Sequence, residues 1–270
     1  MTKGGELTGL EKVAIISRVL SLRSEAVLAH PDREMGESAA RRIKDLFAQR
    51  ETGKPLAYIT GEKEFFSHPF AVDGNVLIPR PDTEVLVEEA LSILGGRPLM
   101  RSVVDMGTGS GIIGNTVARK SGRSVLCVDV STPALSVAQK NGRDPAVSGR
   151  LTFLCSDLFY AVKKGARFDM VLANLPYVPE GEWEDLMKDV KEFEPALALL
   201  GGADGLDVYR SFVRALPDHM EEGGYVLCEI GSARQADMLG ELLASVGCMV
   251  TKKKDLAGKE RVVIGKWINS

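Results

Sequence analysis

The chain has 270 residues, of which 44% are hydrophobic and 26% charged, and its formal net charge is −3. That length allows one large domain or two smaller ones with a buried core, and the near-neutral balance excludes a non-specific polyanion binder. No apolar run reaches membrane-spanning length, and residues 1–9 lack the basic-then-apolar layout of a signal peptide, so a cytoplasmic protein without a membrane partner is expected. Cys127, Cys155, Cys228 and Cys248 are widely spaced in or beside strand-like runs, which predicts buried free thiols. The scattered His30, His68 and His219 suggest no metal centre.

In chain order, residues 10–29 carry apolar side chains at helical spacing (Leu10, Val13, Ile16, Val19, Leu20, Val27, Leu28) until His30-Pro31-Asp32 breaks the pattern. A second helical stretch over 38–50 is stopped by Gly53 and Pro55. Residues 62–72 and 75–78 read as short strands around Asp73-Gly74, a hairpin signal. The expected organisation is a small helical domain over 1–62, a β-hairpin linker over 63–80 and a larger domain over 81–270.

In that larger domain strands and helices alternate, the mark of a parallel sheet covered by helices. A helix over 84–94 follows Pro79-Arg80-Pro81-Asp82-Thr83. Strands are predicted at 102–106, 124–130, 151–155, 168–173, 225–230, 249–253 and 261–266, and helices at 112–120, 133–141, 205–220 and 233–246. Ser232 and Gln235 have the spacing of a capping box. Ala257-Gly258-Lys259 reads as a hairpin loop and Lys252 to Lys254 as a solvated sheet edge.

Three strand ends carry chemistry. The first sheet strand runs into Asp105-Met106-Gly107-Thr108-Gly109-Ser110-Gly111, which opens directly into a helix. Glycines there let the backbone turn and a ligand approach, and Gly109, Gly111 and Gly114 also fit a dinucleotide fingerprint. The next strand ends in Asp129, an acceptor for two ribose hydroxyls in nicotinamide and S-adenosylmethionine sites alike. Asp105 before the glycines suits a sulfonium or ammonium better than a pyrophosphate, which favours S-adenosylmethionine. After the third strand, Asp157 can accept from an adenine amino group or cap a helix, with Leu158 and Phe159 walling the ring.

The fourth strand stops at Asn174-Leu175-Pro176-Tyr177, where an open α/β sheet places its ligands. Asn174 offers a side-chain carbonyl. Leu175, held extended by Pro176, presents its backbone carbonyl, and Tyr177 supplies a flat face. Two carbonyls can accept the two hydrogens of a planar –NH2 group, aim its nitrogen at a methyl donor and stabilise the charge that grows on nitrogen.

With these residues in place the chain resembles the release-factor glutamine N5-methyltransferases. The likeness is carried by Pro55-Leu56-Ala57-Tyr58-Ile59-Thr60-Gly61-Glu62 with Phe65 and Phe66, and by Val76-Leu77-Ile78-Pro79-Arg80-Pro81-Asp82-Thr83-Glu84. It extends through the glycine loop, Asp129 and Asn174 to Tyr177, then Phe193-Glu194-Pro195-Ala196 and Gly201-Gly202-Ala203-Asp204-Gly205-Leu206. The resemblance implies an α/β fold: a seven-stranded Rossmann-like S-adenosylmethionine-dependent methyltransferase domain preceded by a small helical domain and a β-hairpin linker. It implies that Gly107, Thr108, Gly109, Ser110 and Gly111 line the methionine part of the cofactor and that Asp129 holds its ribose. Asp157 and Leu158 would meet the adenine, and Asn174, Leu175, Pro176 and Tyr177 would bind the target amide, with Asn174 also near the cofactor. The implied substrate is the glutamine of the Gly-Gly-Gln motif in class I peptide chain release factors, the product S-adenosylhomocysteine, with no metal and no direct nucleic-acid partner. Leu175 departs from the family's usual Asn-Pro-Pro-Tyr; Asn-Leu-Pro-Tyr is typical of relatives that methylate adenine in ribosomal RNA. The alternative is accordingly an amino-methyltransferase acting on adenine or cytosine in nucleic acid, against which the lack of a basic arm counts. A non-enzymatic cofactor-binding module would leave Asn174 to Tyr177 unexplained.

Overall fold

The computed structural model describes residues 7–268. The N-terminal part holds α1 (Gly9–Leu20), α2 (Ser24–Ala29), α3 (Glu37–Glu51) and α4 (Leu56–Thr60). The single long helix suggested by the spacing over 10–29 is two helices, because Ser21 turns left-handed (φ 53°) and closes α1. A capping box absent from the sequence reading starts that helix: Glu11 N donates to Thr8 Oγ1 and Thr8 N to Glu11 Oε2, a device worth about 1 kcal/mol. Ile15, Ile59 and Leu7 bury a small core with Leu46 and Phe47, and Arg50 pairs with Glu11 across α1 and α3 at 2.7 Å.

The hairpin is real but sits earlier than its signal. Strands β1 (Glu62–Phe65) and β2 (His68–Ala71) pair antiparallel and turn at Phe66 and Ser67, both at positive φ (54° and 56°). No glycine marks this turn. Phe66 N is held by Glu84 Oε1 at 3.0 Å, and Phe65 packs its ring against Phe70. Asp73-Gly74 makes a local turn instead, with Asn75 N donating to Asp73 Oδ1 at 2.9 Å. Residues 75–78 form no strand; they run as a strap whose Ile78 N donates to the buried Glu194 carboxylate.

The remainder comprises α5 (Thr83–Gly95), β3 (Ser102–Met106), α6 (Ile112–Ser121), β4 (Ser124–Asp129), α7 (Thr132–Asn141), β5 (Leu151–Cys155), β6 (Phe168–Ala173), α8 (Lys188–Phe193), α9 (Asp207–Ala215), β7 (Met220–Glu229), α10 (Ala233–Ser245), β8 (Cys248–Lys254) and β9 (Glu260–Trp267). The seven-stranded sheet runs β5-β4-β3-β6-β7-β9-β8; it is parallel from β5 to β7, and β9 joins antiparallel to both β7 and β8. Both faces are covered, so the central strands are apolar throughout, as in Met170, Val171, Leu172 and Ala173, all at 0% exposure. One core holds Tyr209, Phe212, Leu239 and Leu243 from α9 and α10, and the other Leu86, Val87, Ile113 and Val117 from α5 and α6.

Several expectations are corrected. The helix expected over 205–220 is nine residues long, because Gly205 is left-handed before it and Leu216–Asp218 tightens into a 3-10 turn around Pro217. Ser232 caps α10 through Gln235 N, but the Gln235 side chain does not complete a capping box. It accepts from Gly231 N and donates to Tyr177 O. Cys127, Cys228 and Cys248 are buried, whereas Cys155 is exposed at the end of an edge strand. Lys252, Lys253 and Lys254 lie exposed on the other edge strand, as expected, and pair with Asp237, Glu89 and Glu260.

Candidate active site

Chain order reverses at β3, which has β4 on one side and β6 on the other. The chain leaving β3 and the chain leaving β6 therefore lead to opposite sides of the sheet, which opens a crevice at the carboxyl ends of the strands. A cavity of about 330 Å³ occupies it, within the size range of small-molecule sites. Gly107, Thr108, Gly109 and Ser110 line it after β3, Asp129 after β4, Asp157 and Leu158 after β5, and Asn174, Leu175 and Pro176 after β6. The strap contributes Asn75, Val76, Leu77 and Arg80, and Pro195 and Leu197 lie on the wall as well.

The glycine loop is shaped from behind. Gly107 N and Thr108 N both donate to Val128 O, and Gly109 N donates to Asp129 Oδ2 at 2.8 Å. Gly107 has φ 72°, and a Cβ there would stand 2.9 Å from Leu175 Cδ2, so its glycine lets the β3 and β6 loops touch. Asp105 does not face the cavity as its sequence position suggested. It is fully buried, with Oδ2 accepting from Thr108 Oγ1 at 2.6 Å and Gly114 N at 2.9 Å. Burial pushes its pKa up to about 6. Gly111 is also off the cavity wall; it starts α6 and packs against Ala138.

Asp129 accepts one backbone N–H on each oxygen, from Gly109 and from Ser131, the latter at 2.8 Å. Each oxygen keeps a further lone pair, so a pair of adjacent hydroxyls fits. Burial pushes its pKa up, and the backbone donors from Ser131, Gly109 and Val130 oppose that shift. Asp157 does not cap a helix, since only turns follow it, and its carboxylate engages no hydrogen bond among the described residues. Phe159 points away from the cavity into the core, where it stacks on His219 at 4.5 Å and on Phe212. Leu158, at φ 47°, is the apolar wall that remains on that side.

At the β6 loop, Asn174 Nδ2 donates to Thr83 Oγ1 at 3.3 Å. Its Oδ1 has no partner among the described residues, and neither has the Leu175 carbonyl. Leu175 N donates to Tyr209 Oη, whose single proton goes to the Glu229 carbonyl at 2.5 Å, with the Ala173 carbonyl 3.3 Å away. Tyr177 is not on the cavity wall. Its hydroxyl donates to Glu229 Oε1 at 3.3 Å, its carbonyl accepts from Gln235 Nε2 at 2.7 Å, and its ring lies against Gly231. The expected flat support for the target is thus an anchor for the loop in this structure. Thr83, Tyr209 and Glu229 were missed as site residues, although Glu229, like Asp129, ends an apolar strand in an acid.

The donor and acceptor set suits an adenosine-bearing cofactor: a two-oxygen acceptor for a ribose, a free carboxylate and an apolar wall for adenine, and a glycine loop open to a ligand. Solved structures agree on the fold. A methyltransferase from Pyrococcus furiosus aligns at TM-score 0.56 with 14% identity over 87% of this chain and 100% of its own. A 16S rRNA N2 methyltransferase from T. thermophilus, solved with S-adenosylmethionine and guanosine, aligns at 0.55 with 20% identity over 76% and 49%. The fold is the Rossmann-like α/β fold of these structures, with a crevice suited to an adenosine-bearing cofactor.

Residues 82–193 match the model of the Methyltransferase small domain and residues 4–61 that of the PrmC N-terminal domain. Release factor glutamine methyltransferases from Nitratidesulfovibrio vulgaris and Geobacter sulfurreducens are 38% and 36% identical, covering 93% and 98% of this chain and 86% and 91% of their own lengths. The chain belongs to the release factor glutamine methyltransferase family.

Proposed function

We propose that this enzyme transfers the methyl group of S-adenosylmethionine to the side-chain amide nitrogen of the glutamine in the Gly-Gly-Gln motif of class I release factors. The observation that carries this is the pair of unengaged carbonyls, Asn174 Oδ1 and Leu175 O, beside the glycine loop. They match the two hydrogens of a primary amide.

A glutamine nitrogen is a poor nucleophile because its lone pair is shared with its carbonyl. S-adenosylmethionine supplies a methyl already activated on a sulfonium, so the protein's work is to hold and orient. Asn174 Oδ1 and the Leu175 carbonyl accept the two N–H bonds, turn the nitrogen's lone pair toward the methyl and stabilise the positive charge that grows on nitrogen, which then releases one of its two protons to solvent as the neutral N-methylamide forms. Tyr209 fixes the height of the loop through Leu175 N. Gly107, Thr108, Gly109 and Ser110 hold the methionine part, Asp129 the ribose, and Asp157 with Leu158 the adenine. No metal takes part in this scheme. A substrate from translation places the enzyme in the cytoplasm.

S-adenosylmethionine or S-adenosylhomocysteine should raise the melting temperature and NAD should not. Asp129→Ala should weaken the former by about 1.5–3 kcal/mol in calorimetry, the cost of losing charged hydrogen bonds. Residues 1–62 give the domain a second surface, and docking there should make folded release factor a far better acceptor than a free Gly-Gly-Gln peptide. Equal kcat/KM on both would remove the docking role. Labelled methyl transfer, with release factor, ribosomal RNA and DNA offered side by side, tests the substrate: label in the protein is expected. Label in RNA or DNA alone would establish the nucleic-acid alternative.

A further inference from the structure

Behind the cavity wall, a row of buried polar groups leads from Asn174 through Thr83 to Glu229. Glu229 ends β7 at 1% exposure and Thr83 opens α5 at the same exposure. Glu229 Oε1 accepts from Tyr177 Oη at 3.3 Å. Oε2 is a buried acceptor with no hydrogen-bond partner among the described residues, and Thr83 is near enough for its hydroxyl to oppose the rise that burial gives the carboxylate's pKa. Arg261 of β9 and Asp82 at the start of α5 complete the charges that face it, and Arg261 is shared with Asp82 and Asp255. Tyr209 of α9 reaches only its backbone carbonyl.

We infer that Glu229 and Thr83 are positioning residues that fix which way round the Asn174 amide sits, and through it the orientation of the target amide. The inference rests on the amide-methylation function proposed above and goes on to its control. It follows from counting donors. An ionised carboxylate only accepts, and a threonine hydroxyl has one proton. With that proton directed at Glu229, Thr83 offers Asn174 nothing but lone pairs. Asn174 must then give Thr83 its NH2, as the 3.3 Å contact has it, and keep Oδ1 for the target.

Protonation of Glu229 reverses the row. A neutral Glu229 can donate to Thr83, Thr83 is then free to donate to Asn174 Oδ1, and the turned amide presents NH2 to the target's own NH2. Burial raises the Glu229 pKa to about 7, with Thr83, Arg261 and Tyr177 opposing. The productive state is the ionised one, present above that pKa, so turnover falls as pH falls through neutrality.

The test is kcat for methylation of release factor against pH, with cofactor affinity measured by calorimetry at each pH. Glu229→Gln has no charge to lose, so the fall in turnover through neutrality should vanish. Its kcat at alkaline pH should drop about tenfold with cofactor affinity within about twofold. Thr83→Val removes the relay oxygen and should cost turnover by a similar factor, while Thr83→Ser should recover most of it. If Glu229→Gln does not fold, the two Thr83 variants decide. An unchanged acid limb in Glu229→Gln, or parental turnover in Thr83→Val, overturns the inference while methylation by the parent leaves the proposed function standing. A parent that methylates no release factor overturns both.

Discussion

Asn174→Ala should lower turnover on release factor by roughly 10²-fold or more and leave cofactor affinity within a few-fold. The side-chain carbonyl it removes meets an N–H that becomes more acidic as the methyl arrives, so the contact strengthens toward the transition state and contributes chiefly to kcat. Cofactor affinity is spared because Asp129, Asp157 and the glycine loop, which we propose hold that ligand, line the cavity from other elements. Asn174→Asp keeps an acceptor but removes the NH2 that Thr83 receives and adds a second carboxylate close to Glu229. Its charge would stabilise a bound sulfonium before reaction as well as during it, so turnover should fall here too. Single-turnover kinetics with labelled cofactor separates these effects. Parental turnover in Asn174→Ala would make the loop merely structural.

Gly205→Ala should cost about 3 kcal/mol or more of stability and most of the activity. Gly205 has φ 81°, and a Cβ there would run into the Tyr177 carbonyl and the Gln235 amide. Neither can retreat. The two are hydrogen-bonded to each other, and Gln235 also holds Gly231 N. The strain therefore falls on Tyr177 and Pro176, next to the Leu175 carbonyl proposed to grip the target. Thermal melting should show a loss of several degrees, and activity at a temperature where the variant is folded should remain well below parental. Gly223→Ala, at φ 71° but with open space around it, is the control: it shares the backbone strain without the collision.

The sheet was legible because its signals are local. Apolar runs such as Met170 to Ala173, glycines after a strand and an acid at a strand end state their positions within a few residues, and Asp129 and Asn174 stand at the cavity where their strands predicted. Other features depend on partners distant in sequence. The hairpin turn at Phe66 and Ser67 takes two positive φ values without glycine because Glu84, eighteen residues on, secures Phe66 N. Tyr177 looks like a substrate platform until Glu229 and Gln235 are seen to hold it. Phe159 follows Asp157 and Leu158, the pair expected to meet adenine, yet His219 and Phe212 draw it into the core. The glycines at 201, 202 and 205 were notable in sequence only through family resemblance. Gly201 and Gly205 let that loop approach the carbonyls of Pro176 and Tyr177, and Gly202, at φ 87°, lies against the Asp207 side chain.

The most direct test is peptide mapping of a release factor after incubation with enzyme and S-adenosylmethionine. One added methyl on the side-chain nitrogen of the Gly-Gly-Gln glutamine is expected, lost when Asn174→Ala replaces the parent. Methyl on any other residue, or an unmodified release factor beside a methylated nucleic acid, would contradict it.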